Sequence, residues 1–316
     1  IEKLHILFEN SGIRRGDKIA LCGRNSANWA VAFLATLTYG AIAVPILHEF
    51  TAEQVHNIVN HSEAKLLFVG DVIATTIDGT KMPGLEGIIY IPDYSLVISR
   101  TDQLTFAREH LNEMFGKKYP KYFRKEHVHY YVDRNADELA MINYTSGTTG
   151  FSKGVMLPYR ALWSNMDFIN EKIGTHLTRG SKVLSILPMA HMYGQLVEFI
   201  FEFCFGNHIY FLTRLPSPSL IAEAIAEIRP AVVISVPLIV EKIIRKKVFP
   251  IVQTNKVRLL MNMPVINKKV KERICETVKE AFGGNAYEVV VGGASLNKEI
   301  EEFLVSIDFP ITVGYG

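Results

Sequence analysis

The chain has 316 residues, 48% apolar and 21% charged, with a formal net charge of +2. That length suits one large domain or two ordinary ones, and the apolar content excludes a disordered chain. The near-balanced charge offers no stripe for nucleic acid, so Lys117-Lys118 and Arg245-Lys246-Lys247 read as solvated surface. Cys22, Cys204 and Cys275 are odd in number and widely spaced, which gives neither a disulfide framework nor a zinc pattern. Each reads as a buried small apolar residue in a reducing compartment. The chain starts at Ile1 rather than Met, as a processed or cut piece would, and no signal-peptide pattern opens it.

Strands and helices alternate along the chain. Ile1 to Gly12 reads as an amphipathic helix, Lys18 to Cys22 as a strand, Ala27 to Tyr39 as a helix and Ala41 to Ile46 as a strand. The uncharged stretch Asn25 to Leu47 is long enough for a membrane span. Its caps at Asn25 and Ser26, the stop at Gly40 and the break at Pro45 instead predict a buried helix followed by a buried strand. Thr51-x-x-Gln54 is a capping box that opens a helix to about His61. Leu66 to Val69 and Gly87 to Ile91 read as strands, Leu104 to Phe115 as one helix, and Lys117 to Asn135 as a loop.

The stretch Tyr144 to Gly154 reads Y-T-S-G-T-T-G-F-S-K-G. Apolar runs flank it, Leu139 to Tyr144 before and Val155 to Leu157 after, so it is a loop between two strands. Gly147, Gly150 and Gly154 let the backbone approach a ligand, and successive N–H groups in such turns form an anion nest. Thr145, Ser146, Thr148 and Thr149 add hydroxyls and Lys153 adds a cation, so the expected guest is a polyphosphate. A Walker A loop fails on spacing, because Ser152 stands where its second glycine belongs. A Ser-x-x-Lys pair fails because Gly150 stands three before Lys153, and no Gly-x-Ser-x-Gly elbow occurs. A plain hairpin turn needs only one or two special residues.

After this loop the pattern predicts a helix over Tyr159 to Ile173, a linker over Gly174 to Gly180, and a strand over Val183 to Leu187. Leu196 to Phe205 reads as an apolar helix stopped by Gly206, and His208 to Leu212 as a strand. Ser217-Pro218 caps a helix whose face is Leu220, Ile221, Ala224, Ile225 and Ile228. Ala231 to Val236 is a strand, Val270 to Phe282 a helix, Tyr287 to Val291 a strand and Leu296 to Val305 a helix. Ile311 to Val313 starts a last strand. Apolar strands alternating with helices predict an α/β fold with largely parallel sheets covered on both faces.

The loop closely resembles the phosphate-binding motif of the acyl-adenylate-forming enzymes, Tyr-Thr-Ser-Gly-Thr-Thr-Gly-x-Pro-Lys-Gly. It departs once, with Ser152 in place of proline. Further segments resemble the family in family order. Leu37 to Pro45 looks like its Gly-Ala-x-x-Val-Pro core segment, and Leu187 to Gly194 like its substrate-side motif, where a histidine follows Leu-Pro-x-x. Val236 to Ile243 resembles a Val-Pro-x-x-x-Glu-Lys-Ile run of long-chain fatty-acyl-CoA synthetases. Gly292-Gly293-Ala294-Ser295-Leu296 looks like the adenine-side motif, and Gly314-Tyr315-Gly316 like the start of Gly-Tyr-Gly-x-Thr-Glu.

The resemblance implies the N-terminal core of that fold, with sub-lobes of about 1–175, carrying the phosphate loop 144–154, and 176–316, carrying the acyl and adenine side. It implies ATP, Mg²⁺ and coenzyme A as co-substrates. Thr145, Ser146, Gly147, Thr148, Thr149, Gly150, Lys153 and Gly154 would hold phosphate, with Thr145 nearest the metal. Gly292, Gly293, Ala294, Gly314, Tyr315 and Gly316 would hold adenine. His191 would lie beside the acyl carboxylate, although a lone histidine equally reads as a structural hydrogen-bonder. Gln195 falls where relatives gate the acyl tunnel. The absence of a carboxylate between His191 and Val197 favours a fatty acid over an amino acid. Activation of another carboxylate, aryl or amino acid, and a non-catalytic nucleotide-binding protein are the alternatives. Because the chain stops within Gly-Tyr-Gly-x-Thr-Glu, the metal-binding glutamate, the ribose-binding aspartate and the lid are expected beyond it. These 316 residues alone are then expected to be inactive. The expected location is the cytoplasm, with peripheral membrane contact left open for an acyl substrate and no nucleic-acid partner.

Overall fold

Short apolar runs followed by capped helices build two sheets in the computed structural model, which describes residues 1–131, 135–145, 153–254 and 267–314. The chain divides into two units, Ile1–Met166 with Pro188–Met192, and Asp167–Leu187 with Tyr193–Gly316.

The first unit holds a seven-stranded sheet. Its strands are β1 (Lys18–Cys22), β2 (Ile42–Ile46), β3 (Ala64–Val69), β4 (Gly87–Tyr90), β5 (Leu96–Ser99), β6 (Leu139–Thr145) and β7 (Lys153–Pro158). The order is β5-β4-β3-β1-β2-β6-β7. From β4 to β6 the pairing is parallel, and only the edge strands β5 and β7 run antiparallel to their neighbours. The inner strands are buried along most of their length, which is why they read as unbroken apolar runs.

Local chemistry sets the helices of this unit. Helix α1 spans Glu2–Asn10. Helix α2 (Ala27–Tyr39) opens where the Ser26 side chain accepts the Trp29 N–H and closes at Gly40, whose φ of 85° is left-handed. Helix α3 (Ala52–Ser62) carries both halves of the Thr51/Gln54 capping box. A short α4 (Asp71–Ala74) follows β3. The expected single helix over Leu104 to Phe115 is two, α5 (Asp102–Glu109) and α6 (Leu111–Lys118), separated at His110 with φ −99° and ψ 10°. Buried Leu104, Ala107 and Leu111 keep helical spacing across the break, so periodicity alone could not reveal it.

Helix α7 (Tyr159–Lys172) leads into the second unit, whose five strands are all parallel in the order β12-β11-β10-β8-β9. These are β8 (Lys182–Ser185), β9 (His208–Phe211), β10 (Val232–Ser235), β11 (Glu288–Val291) and β12 (Ile311–Val313). A wide π-type turn, Gly194–Ile200, continues into α8 (Phe201–Phe205), stopped by left-handed Gly206. Helix α9 (Pro218–Ile228) starts with the Ser217 side chain accepting the Leu220 N–H and Pro218 in its first turn. The sequence reading had no helix for α10 (Pro237–Ile243), a second π-type turn (Ile244–Val248) and α11 (Phe249–Val252). Pro250 lacks the N–H that a regular α-helix would direct at the carbonyl four residues earlier, and the wide turn precedes it. Helices α12 (Asn267–Ala281) and α13 (Lys298–Ser306) complete the described unit. Of the cysteines, only Cys22 is buried; Cys204 is exposed and Cys275 half-buried, contrary to expectation.

Two carboxyls lie fully buried one helical turn apart, Glu198 and Glu202. The Glu198 Oε2 accepts the N–H groups of Ile186 and Leu187, both at 2.9 Å. Asn207 Nδ2 donates to Glu202. Burial pushes both carboxyls up, Glu202 to about 7, and the Glu202 charge adds to the rise at Glu198. A carboxyl raised on folding holds its proton more tightly in the folded state, so stability is lost as pH rises from about 4.5 towards 7. Glu202→Gln keeps an acceptor for Asn207 and removes the charge. We expect it to raise stability by up to about 3 kcal/mol at pH 8 and to leave it nearly unchanged at pH 4. Thermal unfolding at both pH values checks this; an equal effect at both would refute the assignment.

Candidate active site

Strand β6 runs from the core of the first unit to its surface. Tyr144, second from its end, is 5% exposed; its hydroxyl meets His61 Nδ1 at 2.7 Å, and its ring packs in the cluster with Val44, Val55 and Leu67. Thr145, the next residue, is exposed and stands directly opposite Lys153, which opens β7. The two ends of the glycine- and hydroxyl-rich stretch are thus held together by the β6–β7 ladder. Ser146, Gly147, Thr148, Thr149 and Gly150 lie outside the described residues. Gly154 pairs with Tyr144, and a Cβ there would come within 2.8 Å of Ile142 Cγ2 and 3.1 Å of Tyr144 Cζ. Packing within the hairpin therefore demands that glycine, whatever the loop binds.

Because β1, β2 and β6 are parallel, Thr145 lies at their carboxyl edge. Strand order reverses around β1, the kind of position where open α/β sheets receive ligands. The segment Pro188–Met192 belongs to this edge. The Met189 N–H donates to Oδ1 of Asn25, just beyond β1, at 2.9 Å, and Asn143 Nδ2 in β6 donates to the Ala190 carbonyl at 3.0 Å. Both asparagines are 6% exposed. A turn with the His191 N–H on the Pro188 carbonyl at 3.0 Å leaves His191 exposed. Thr145, Lys153 and His191 therefore share one edge of one unit. The sequence reading took Asn25 only as a helix cap and did not single out Asn143. The available signal was a lone amide inside the apolar run Leu139 to Tyr144.

In the second unit the carboxyl ends of β10, β11 and β12 continue into a further set of backbone bonds. The Gly292 N–H donates to the Ser235 carbonyl at 3.1 Å, and the Gly314 N–H to the Val291 carbonyl at 2.7 Å. Gly292 is buried against the Tyr193 ring, where a Cβ would come within 2.9 Å of Cζ. The Tyr193 hydroxyl donates to the Val290 carbonyl at 3.4 Å, and burial raises its pKa. Gly293, at φ 86°, and Ala294 are exposed. Glu241 accepts the Asn297 N–H at 3.0 Å, and Asn297 in turn caps α13, so the glutamate of the Val236 to Ile243 run steadies the loop holding Gly293 and Ala294. Gln195 is fully buried in the π-type turn. Tyr315 and Gly316 lie outside the described residues.

Residues 5–316 match the family model described as AMP-binding enzyme. The chain belongs to that family. Among curated relatives, the long-chain-fatty-acid–CoA ligase ACSBG2 of Homo sapiens is 26% identical over 330 residues, covering 96% of this chain and 48% of the relative. Long chain acyl-CoA synthetase 3 of Arabidopsis thaliana is 26% identical over 338 residues, covering 99% and 50%. The chain spans about half the length of the curated relatives it matches. In fold it is similar to the N-terminal domain of FACL13 from Mycobacterium tuberculosis, with a TM-score of 0.70 at 20% identity, covering 100% of this chain and 66% of that one. Apo MatB from Rhodopseudomonas palustris gives 0.67 at 22%, covering 100% and 52%. The expected family and α/β fold are both met.

If Asn25 and Asn143 jointly anchor the His191 segment, each alanine variant costs about 1–3 kcal/mol, the penalty for an unpaired buried partner. Asn25→Ala with Asn143→Ala should cost less than the sum, since both hold one segment. Urea unfolding of the two single variants and the double variant measures this, and strict additivity would count against a shared role.

Proposed function

We propose that the protein carrying this chain activates a fatty acid with ATP and passes the acyl group to coenzyme A. The observation that supports it best is the Thr145–Lys153 pairing, which holds the ends of the Tyr144 to Gly154 stretch at the carboxyl edge beside His191. Lys153 and the loop N–H groups would neutralise the phosphate oxygens of the nucleotide. Among the described residues no group of three or more His, Cys, Asp or Glu could hold a metal ion. Mg²⁺ would be bound through nucleotide phosphate oxygens, its usual mode, with the Thr145 hydroxyl as a protein ligand.

In the first step a carboxylate oxygen of the acid bonds to the α-phosphorus. The bond from that phosphorus to the β-phosphate oxygen breaks, and pyrophosphate leaves. Negative charge builds on phosphate oxygens, where fixed donors contribute most. In the second step the thiol sulfur of coenzyme A bonds to the acyl carbon, AMP leaves with the electron pair, and the thiol proton passes to solvent. His191 would orient the acyl carboxylate. Gly292, Gly293, Ala294, Gly314, Tyr315 and Gly316 would form the adenine side, and Gln195 would border the acyl tunnel. No protein nucleophile is needed.

A fatty acid is favoured over an amino acid because the region after His191 offers no carboxylate for a substrate ammonium. The first, Glu198, is buried with Oε2 already accepting two backbone N–H groups. Several neighbouring aromatics are core: Phe199 and Phe201 are at most 2% exposed. Two measurements on the full-length protein test the proposal. Lys153→Ala should slow carboxylate-dependent pyrophosphate exchange by about 10²–10³. Exchange across acids of increasing length, with amino acids beside them, should favour the fatty acids. An amino-acid preference would remove the substrate reading, and ATP binding without carboxylate-dependent pyrophosphate release would remove the activity.

A further inference from the structure

Thr145 and Lys153 stand at the two ends of the glycine- and hydroxyl-rich stretch, and one aromatic ring backs both ends. Tyr144 immediately precedes Thr145 and pairs across the ladder with Gly154, the residue after Lys153. A Cβ on Gly154 would come within 3.1 Å of Tyr144 Cζ, so the ring lies against that glycine. The setting of the Tyr144 ring therefore bears on β6 and β7 together, at the point where both leave the sheet.

A side chain from outside the hairpin holds that ring. His61, in the last turn of α3, places Nδ1 2.7 Å from the Tyr144 hydroxyl, although the two residues are 83 positions apart. Their rings also meet edge to face, with centroids 5.8 Å apart and planes at 86°. Burial pushes the Tyr144 hydroxyl up from its ordinary value, so it keeps its proton and has one to donate to Nδ1. Helix α3 is a fixed support for this contact. Its capping box secures one end, a left-handed Glu63 closes the other, and Val55, Ile58 and Val59 belong to the same buried cluster as Tyr144. His61 itself is exposed, so apolar packing does not by itself call for an imidazole there.

Groups that meet a ligand work only when held within about 0.5 Å of their productive geometry, by neighbours whose own rotamers are locked. A hydrogen bond at the far tip of a ring locks it more firmly than packing alone, because it removes sliding within the ring plane. We propose that His61 is a positioning residue for nucleotide binding: through the Tyr144 hydroxyl it holds Thr145 and Lys153 in place for the phosphates. It touches no substrate itself. This inference rests on the phosphate-binding reading given above and adds to it the helix that supports the site.

Three substitutions in the full-length protein separate this role from a purely structural one. His61→Phe keeps a ring for the edge contact and removes Nδ1. Tyr144→Phe removes the hydroxyl. His61→Asn keeps a polar atom on Cγ, where Nδ1 sits, and removes the ring. Carboxylate-dependent pyrophosphate exchange gives KM for ATP and for the acid separately. His61→Phe and Tyr144→Phe should each raise the KM for ATP about fivefold, the size of one net hydrogen bond, and leave the KM for the acid unchanged. The double variant should be no worse than either single one, since both remove the same bond. His61→Asn should restore the parent value. Thermal midpoints measured alongside confirm that each variant is folded at the assay temperature. An unchanged KM for ATP in the two phenylalanine variants would overturn the proposal, whatever happens to the midpoints. Effects that multiply in the double variant, or an asparagine variant no better than the phenylalanine one, would also overturn it. Lys153→Ala is the control. If it slows exchange while the His61 and Tyr144 variants do not, only the positioning role falls; if it too has no effect, the phosphate assignment falls with it.

Discussion

Parallel pairing of β1, β2 and β6 is the constraint on which the candidate site depends. Parallel strands end on a common edge, and that edge presents carboxyl termini whose next residues must find partners outside the ladder. Here Thr145 ends β6 on that edge and Asn25 lies just beyond β1. The antiparallel strand β7 then returns Lys153 beside Thr145, so one hairpin brings a cation to an edge that already has backbone donors and an amide. An edge strand suits this role because it needs only one neighbour and can bend away for a loop.

Asparagine does on this edge what a charged residue could not do cheaply. Asn25 accepts from Met189 and Asn143 donates to Ala190, each through one half of an amide and both in nearly water-free surroundings. A neutral amide satisfies either kind of backbone group without the desolvation cost of a charge. The second unit handles a comparable task differently. There the buried Glu198 carboxyl holds two consecutive N–H groups at the end of β8, against a strong tendency of its surroundings to keep it protonated. The two units thus use opposite electrostatic means to hold chain segments beyond strand ends.

Glycine in the two motif regions has more than one cause. Gly154 and Gly292 are each hemmed in by an aromatic ring, Tyr144 and Tyr193 respectively, so a side chain at either position would collide with the protein itself. A Cβ at Gly293 would meet only Val236 Cγ1, at an ordinary contact distance of 3.8 Å, but the backbone there is left-handed. The first two are demanded by packing and the third by conformation. A glycine-rich motif is therefore a joint record of fold and ligand, and matching it identifies the family more firmly than it assigns each residue a role.

The sequence by itself determined the alternation of elements, the caps and the family. Strands β1 and β12 and helix α2 have the bounds read from apolar runs, Ser26 and Gly40, because caps and breakers act within a few residues. Contiguous motifs were legible for the same reason. Tertiary structure alone decided what is joined across the chain. It separated α5 from α6 at His110, where the buried positions kept their spacing, and turned the Pro237 to Val252 stretch into a helical run despite its prolines. It assigned Pro188–Met192 to the first unit through two asparagines 47 and 164 positions away from their partners. It buried Glu198 and Glu202 one helical turn apart. Local patterns carry propensity, but which distant groups meet depends on burial and register, and these exist only once the sheets have formed.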